Sequence, residues 1–232
     1  MNFTEFGLQL SLFQAFLITY VYLSVGLVLP ATMDMKVFVK AKEDIRPIIG
    51  NIFLFSINIL LILIFEYFFE YKIDIFSSFS LSSSLGGVLV AVSLYFVLDK
   101  LTDKIFAKIF KKSIEKYKEM MKILFENPAS GIVRLTGFAP ITEELLLRGY
   151  LLVGLSNSYG ILIGLIVSTL IFAIIHFNIV QMISATISGL ALGLLYIYTG
   201  NILACVIAHS FYNYLSYKGL EKEYKSMEVK DE

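Results

Sequence analysis

The chain has 232 residues, 57% of them apolar, with a mean hydropathy of +0.77 and 16% charged residues, against roughly 25% charge in a soluble domain. Nineteen basic residues balance nineteen acidic ones, so the net charge is zero and nothing points to nucleic-acid binding. The single cysteine, Cys205, excludes an internal disulfide.

In chain order, apolar stretches near 8–30, 48–69, 83–99, 129–155, 159–177, 179–199 and 201–217 predict about seven membrane spans. The expected fold is an all-α polytopic transmembrane helix bundle. Glu5 is the only charge in Met1–Leu10, so the first stretch lacks a signal peptide's positive region and reads as a retained span. Lys36, Lys40, Lys42 and Arg46 follow it, Lys72 stands alone in the next loop, and eight lysines lie from Lys100 to Lys122. The last three loops hold no lysine or arginine, whereas the tail holds Lys218, Lys222, Lys225 and Lys230. All the rich segments fall on one side of a seven-span topology. By the positive-inside rule that side is the cytoplasm, with the N-terminus outside the cell membrane and the C-terminus inside.

Within Lys100–Asn127, Ile105, Phe106, Ile109, Phe110, Ile114, Tyr117, Met121 and Leu124 recur at helical spacing among the lysines. This pattern predicts one amphipathic helix on the cytoplasmic surface, either an anchored linker or a gate beside the site. Asn127-Pro128 ends it. The chain thus divides into N-terminal spans and interfacial helix (1–128), a helical core (129–217) and a charged, mobile tail (218–232). The pairs Gly160/Gly164 and Gly189/Gly193 are spaced for close helix packing.

Ionisable groups at membrane depth are costly and usually face each other or a wet cavity. The core carries three such clusters. In the first, Pro140 interrupts the run and Thr142 is placed to cap a restarted helix, putting Glu143 and Glu144 in its first turn. Glu144 and Arg148 stand i,i+4 with the acid first, the favourable order for an ion pair. Glu143 is rotated about 100° from that pair. A partly desolvated free carboxylate suits a general base, while all three residues locking helices together is the alternative. In the second, His176 stands four residues after Phe172 and by itself reads equally well as a hydrogen-bonded core residue. In the third, His209 and Asn213 share one helical face and offer two donors for an oxyanion, or simply interhelical glue. Cys205, four residues before His209, lacks an activating cation and reads as packing rather than as a nucleophile.

Taken together, Glu143-Glu144-Leu-Leu-Leu-Arg148, Phe172-Ala-Ile-Ile-His176 and His209-Ser-Phe-Tyr-Asn213 resemble the EExxxR, FxxxH and HxxxN motifs of the CPBP intramembrane proteases. That family holds type II CAAX prenyl endopeptidases and bacteriocin-processing and immunity proteins. The resemblance covers 129–217 and implies an intramembrane endopeptidase working near the cytoplasmic face on a leader peptide or a lipidated, CAAX-type protein. It further implies that Glu143 and His176 activate a water, that His209 and Asn213 stabilise the oxyanion, that Glu144 and Arg148 support the geometry and that Phe172 packs against the site. No cofactor is required by this reading. In a metalloprotease version, zinc would be held by His176, His209 and Glu143, a His₂Glu set that lacks HExxH spacing. The expected partners are the peptide substrate and membrane lipids. Two competing readings remain, a proton-coupled transporter or channel with a Glu/His relay and a non-catalytic immunity protein.

Overall fold

The computed structural model describes residues 7–28, 46–76, 79–101 and 105–231. Ser11 starts the first helix with a capping box, its Oγ accepting from Gln14 N while Gln14 Oε1 accepts from Ser11 N. Helix α1 covers Leu12–Val21 and runs on as a π-helix over Tyr22–Val28. It is followed by α2 (Arg46–Phe68), α3 (Leu81–Leu101) and the surface helix α4 (Lys111–Glu126). Helix α5 runs from Pro128 to Tyr159, and α6 (Ile161–Ile174), α7 (Ile179–Thr199) and α8 (Ile202–Asp231) complete the described bundle. Each of the seven apolar stretches therefore contains a helix, and the described residues form no strand.

Among the described residues, three helical stretches are long and apolar enough to cross a bilayer by themselves: Pro47–Phe68, Leu81–Leu98 and Ile179–Thr199. Leu12–Val25 and Ile161–Ile174 are shorter. At 1.5 Å per residue the latter covers about 21 Å of a hydrocarbon core about 30 Å thick. The distribution of side chains is inverted relative to a soluble protein. Phe13, Leu89 and Leu162 face outward, while Glu144, Arg148 and His209 are buried. In lipid, outward apolar groups cost nothing and polar groups must be satisfied within the bundle.

Several expectations need correction. Helix α5 does not restart at Pro140. It passes through that residue because π-helical turns at Arg134–Phe138 and Leu145–Leu152 flank the α-helical Ala139–Glu144. Thr142 is thus no cap. Its hydroxyl donates back to the carbonyls of Phe138 and Ala139, and the two glutamates lie mid-helix, away from any helix N-terminus. The amphipathic stretch is not one helix either, since α3 reaches Leu101 and the chain bends at Phe110 (φ −116°, ψ 40°) before α4. The tail continues α8 to Asp231, and Glu223 on it pairs with Lys118 of α4. Gly160 does not serve packing. At φ +89° with open space around its Cβ position it makes the turn between α5 and α6. Lys36, Lys40 and Lys42 lie outside the described residues.

The other three glycines are contact residues. A Cβ on Gly164 would lie 2.8 Å from Ser156 N, on Gly189 3.0 Å from Phe172 Cδ1, and on Gly193 2.4 Å from Leu165 Cδ1. Helices α5, α6 and α7 thereby approach closely, as small residues permit in membrane bundles. The surface helix α4 is tied to the same core. Ser113 Oγ donates to Asn178 Oδ1 (2.7 Å) and Asn178 Nδ2 donates to Ser113 O (3.0 Å), while Asn178 also caps α7.

Candidate active site

Glu144 is fully buried on α5, and its Oε1 is the meeting point of two helices. Arg148 Nη1 donates to it from one turn along α5 (2.9 Å), and His209 Nδ1 donates to it from α8 (2.8 Å). The expectation that Glu144 serves Arg148 alone is therefore incomplete. Arg148 also donates Nη2 to the Gly189 carbonyl on α7 (3.0 Å), and its guanidinium lies 5.1 Å from the Phe172 ring centroid of α6. A planar fork can serve two acceptors and stack at once, whereas a lysine ammonium cannot. Four helices, α5 to α8, are knotted at this one ion pair.

Phe172 places the imidazoles. Its ring meets His176 at 5.0 Å and His209 at 5.5 Å between centroids, both edge-on. His176 Nδ1 lies 2.8 Å from the Phe172 carbonyl. A carbonyl only accepts, so Nδ1 carries the proton and the neutral ring presents Nε2 with its lone pair free. His209 is different. Its Nδ1–H is committed to Glu144, so Nε2 donates only when the ring is an imidazolium. Glu143 Oε2 lies 3.8 Å from that Nε2, too far for a hydrogen bond. Glu143 is the more accessible of the two acids, its side chain 19% exposed against 0% for Glu144.

Asn213, one turn beyond His209, donates Nδ2 to Leu135 O (2.9 Å) in the first π-helical turn of α5. A second N–H of the same carboxamide remains to serve another acceptor. Thus the structure brings Glu143, Glu144, Arg148, Phe172 and His209 into one connected cluster. His176 joins it through Phe172 and touches neither glutamate, and Asn213 joins it through α5.

Residues 125–215 match the family model described as type II CAAX prenyl endopeptidase Rce1-like. The chain is similar to this family over that segment, less than half of its length. The match spans all three motifs and hence the whole of the cluster. No curated protein and no solved structure gives a match.

The alternative zinc set is not gathered. Among the described residues no three His, Cys, Asp or Glu side chains form a metal-binding group. Of His176, His209 and Glu143, only the last two approach each other, at 3.8 Å. The donor set does not fit a zinc ion. Cys205 is fully buried and points its Sγ at Leu192 O (3.5 Å), a packing position.

Sequence reasoning missed the contribution of the N-terminal helices. Glu143 borders a cleft that Tyr22 of α1 and Asn51, Phe55 and Asn58 of α2 help to line, together with Arg134 of α5. Tyr22 donates its hydroxyl to Thr142 Oγ1 (3.4 Å), and Asn51 Nδ2 donates to Ser130 O and Oγ (3.0 and 2.7 Å). The available signal was polar asparagines, Asn51 and Asn58, seven residues apart in an apolar span. That spacing puts both on one helical face.

Proposed function

We propose that the chain is an intramembrane endopeptidase in which Glu143 and His176 activate a water against a scissile peptide carbonyl. The observation that carries this reading is the Arg148–Glu144–His209 chain, which ends with His209 Nε2 beside Glu143. It supports a division of labour between the acids. Glu144 Oε1 accepts from both Arg148 and His209 and holds geometry, whereas Glu143 has access and no such donors.

In the proposed reaction Glu143 takes one proton from the water as its oxygen bonds to the carbonyl carbon, while His176 Nε2 accepts a hydrogen bond from the water's other O–H. The carbonyl electrons move onto oxygen, and imidazolium His209 with the free N–H of Asn213 meets that charge. Collapse of the tetrahedral adduct breaks the C–N bond, and the abstracted proton goes to the leaving amine. His176 and Glu143 are not in contact, so they act through the water between them. No step is routed through a metal. The positive-inside count supports a site toward the cytoplasmic face of a multi-pass cell-membrane protein. Leader peptides and CAAX-type lipidated proteins are the substrate classes.

The test uses purified protein in liposomes with peptides of both classes. Glu143→Gln and His176→Ala are expected to abolish cleavage while leaving the folded yield intact. Normal turnover by Glu143→Gln would overturn the assignment. Loss of wild-type cleavage in a zinc chelator, restored by zinc, would overturn the metal-free route. Proton or solute flux that His176→Ala removes would favour a relay instead.

A further inference from the structure

The hydrolytic groups leave one turn unexplained. Phe177 follows His176 directly, and its backbone is left-handed at φ +53°. A bulky L residue avoids that region and stays in it only where the surroundings enforce it. Its ring is 76% exposed, so packing of the ring does not enforce the turn. His176 N and Phe177 N keep only long turn bonds, at 3.2 and 3.4 Å. The constraint comes from the next residue. Asn178 Oδ1 accepts from Ser113 Oγ of α4 (2.7 Å), Asn178 Nδ2 donates to Ser113 O (3.0 Å), and Val180 N donates to Ser113 Oγ (3.3 Å). The same Oδ1 caps α7 by accepting from Val180 and Gln181. The turn after His176 is thus locked to a helix that lies outside the hydrolytic cluster.

The start of α4 has a chemistry of its own. Lys108, Lys111, Lys112 and Lys116 are exposed, and none of them forms an ion pair among the described residues. The first turn of α4 contains no acid. Exposed apolar side chains are interleaved with these cations, namely Ile105, Ile109, Ile179 and the Phe177 ring. The lysine count assigns this end of the bundle to the cytoplasmic face. Cations alternating with outward apolar groups suit anionic headgroups lying over acyl chains, where both kinds of group are satisfied together. A soluble polyanion would meet the lysines and leave Ile109 and Phe177 in water.

We propose that Lys108, Lys111 and Lys112 dock the start of α4 on anionic phospholipid headgroups of the cytoplasmic leaflet, and that Ser113 and Asn178 transmit this docking to the His176 turn. On neutral lipid the start of α4 is held by the bundle alone, and the left-handed Phe177 turn relaxes more often. On anionic lipid α4 and the turn settle together. The bond from His176 Nδ1 to Phe172 O (2.8 Å) fixes the tautomer from the other side, so the Asn178 link governs the backbone that carries the ring. Only the consequence rests on the proteolytic reading. Because His176 orients the water there, turnover rises with the anionic lipid content of the membrane.

The test reads structure before turnover. Full-length protein is placed in nanodiscs of phosphatidylcholine, either alone or mixed with phosphatidylserine. Amide hydrogen exchange is followed by mass spectrometry over residues 108–116 and 176–181, comparing the two discs for each protein. Both segments are expected to slow by about fivefold in the anionic discs, the worth of one lysine near such a surface. Lys108→Gln, Lys111→Gln and Lys112→Gln together are expected to abolish the difference. Ser113→Ala with Asn178→Asp removes the bonds between Ser113 and the turn while aspartate still caps α7. In that double variant 108–116 still slows and 176–181 does not. Equal exchange in the two discs, or a difference that survives the lysine variant, would overturn the docking. Slowing of 108–116 without 176–181 in the wild type, or joint slowing that survives the double variant, would overturn the transmission. The same slowing in neutral discs on adding inorganic phosphate would mark a free-anion site instead of a lipid surface. Cleavage is measured in parallel. Its absence in both discs removes the proteolytic reading, while the exchange result still decides the docking and its transmission.

Discussion

Arg148 shows how much rests on one side chain. It is 2% exposed and serves Glu144, the Gly189 carbonyl and the Phe172 ring at once. Removing it strands a buried carboxylate, so Arg148→Ala is expected to cost about 3–5 kcal/mol, seen as a large drop in Tm in detergent. Arg148→Lys should recover little, because one ammonium lacks the fork. Asn213 offers a sharper discrimination. If it only staples α8 to Leu135, Asn213→Ala costs about 1 kcal/mol of stability and spares kcat. Its proposed role instead requires a fall of about 10²–10³ in kcat with little change in KM. The residue types of this cluster were legible because polar groups are rare in apolar helices. Which acid is free was also legible from the i,i+4 spacing. The link from Glu144 to His209 was not, since 65 residues separate them and no local rule relates the two.

At the level of helices, the seven apolar stretches announced themselves by hydropathy, and their order survives in the bundle. What no pattern revealed was the π-helical geometry of α5. An extra residue in a turn leaves hydrophobic periodicity nearly intact, yet it decides which side chains share a face. Pro140 looked like a helix start for the same reason. Close packing gives another expected outcome. Gly189→Ala brings a methyl to 3.0 Å from Phe172 Cδ1, and Phe172 lies between both imidazoles. The variant should lower kcat by less than the ~10²-fold of a 1 Å misplacement, since Phe172 has to give by only a fraction of that, with a Tm shift of only a few degrees. Gly160→Ala is the control. It strains a φ of +89° far from the imidazoles, so it should lower Tm by a comparable amount and leave kcat alone.

For the whole molecule, charge asymmetry predicts topology. Reporter fusions after residue 231 should be active in the cytoplasm and fusions in the 69–80 loop outside it; the reverse pattern would invert the bundle. Ion pairs within the C-terminal part of α8 add a pH dependence. Lys218 and then Lys225 donate to Glu221 and hold its carboxyl below its ordinary range. A depressed folded pKa stabilises above the unfolded value and is lost as pH falls through the folded one. Helicity by circular dichroism should therefore decrease modestly in acid and recover on neutralisation, with Glu221→Gln flattening the change. The part played by residues 1–128 was the least legible feature. Tyr22 and Asn58 gain meaning only when three helices are assembled around Glu143.

The segment ahead of α1 has a mechanical corollary. Leu10 N donates to Gly154 O, Asn157 Nδ2 donates to Leu8 O, and the Leu10 side chain fills the space a Gly154 side chain would take. The Gly154 end of α5 is therefore clamped. Its opposite end is tied by Asn51 to Ser130 and by Asn213 to Leu135, so α5 is pinned at both ends and a swing that admits a polypeptide has to break one of those ties.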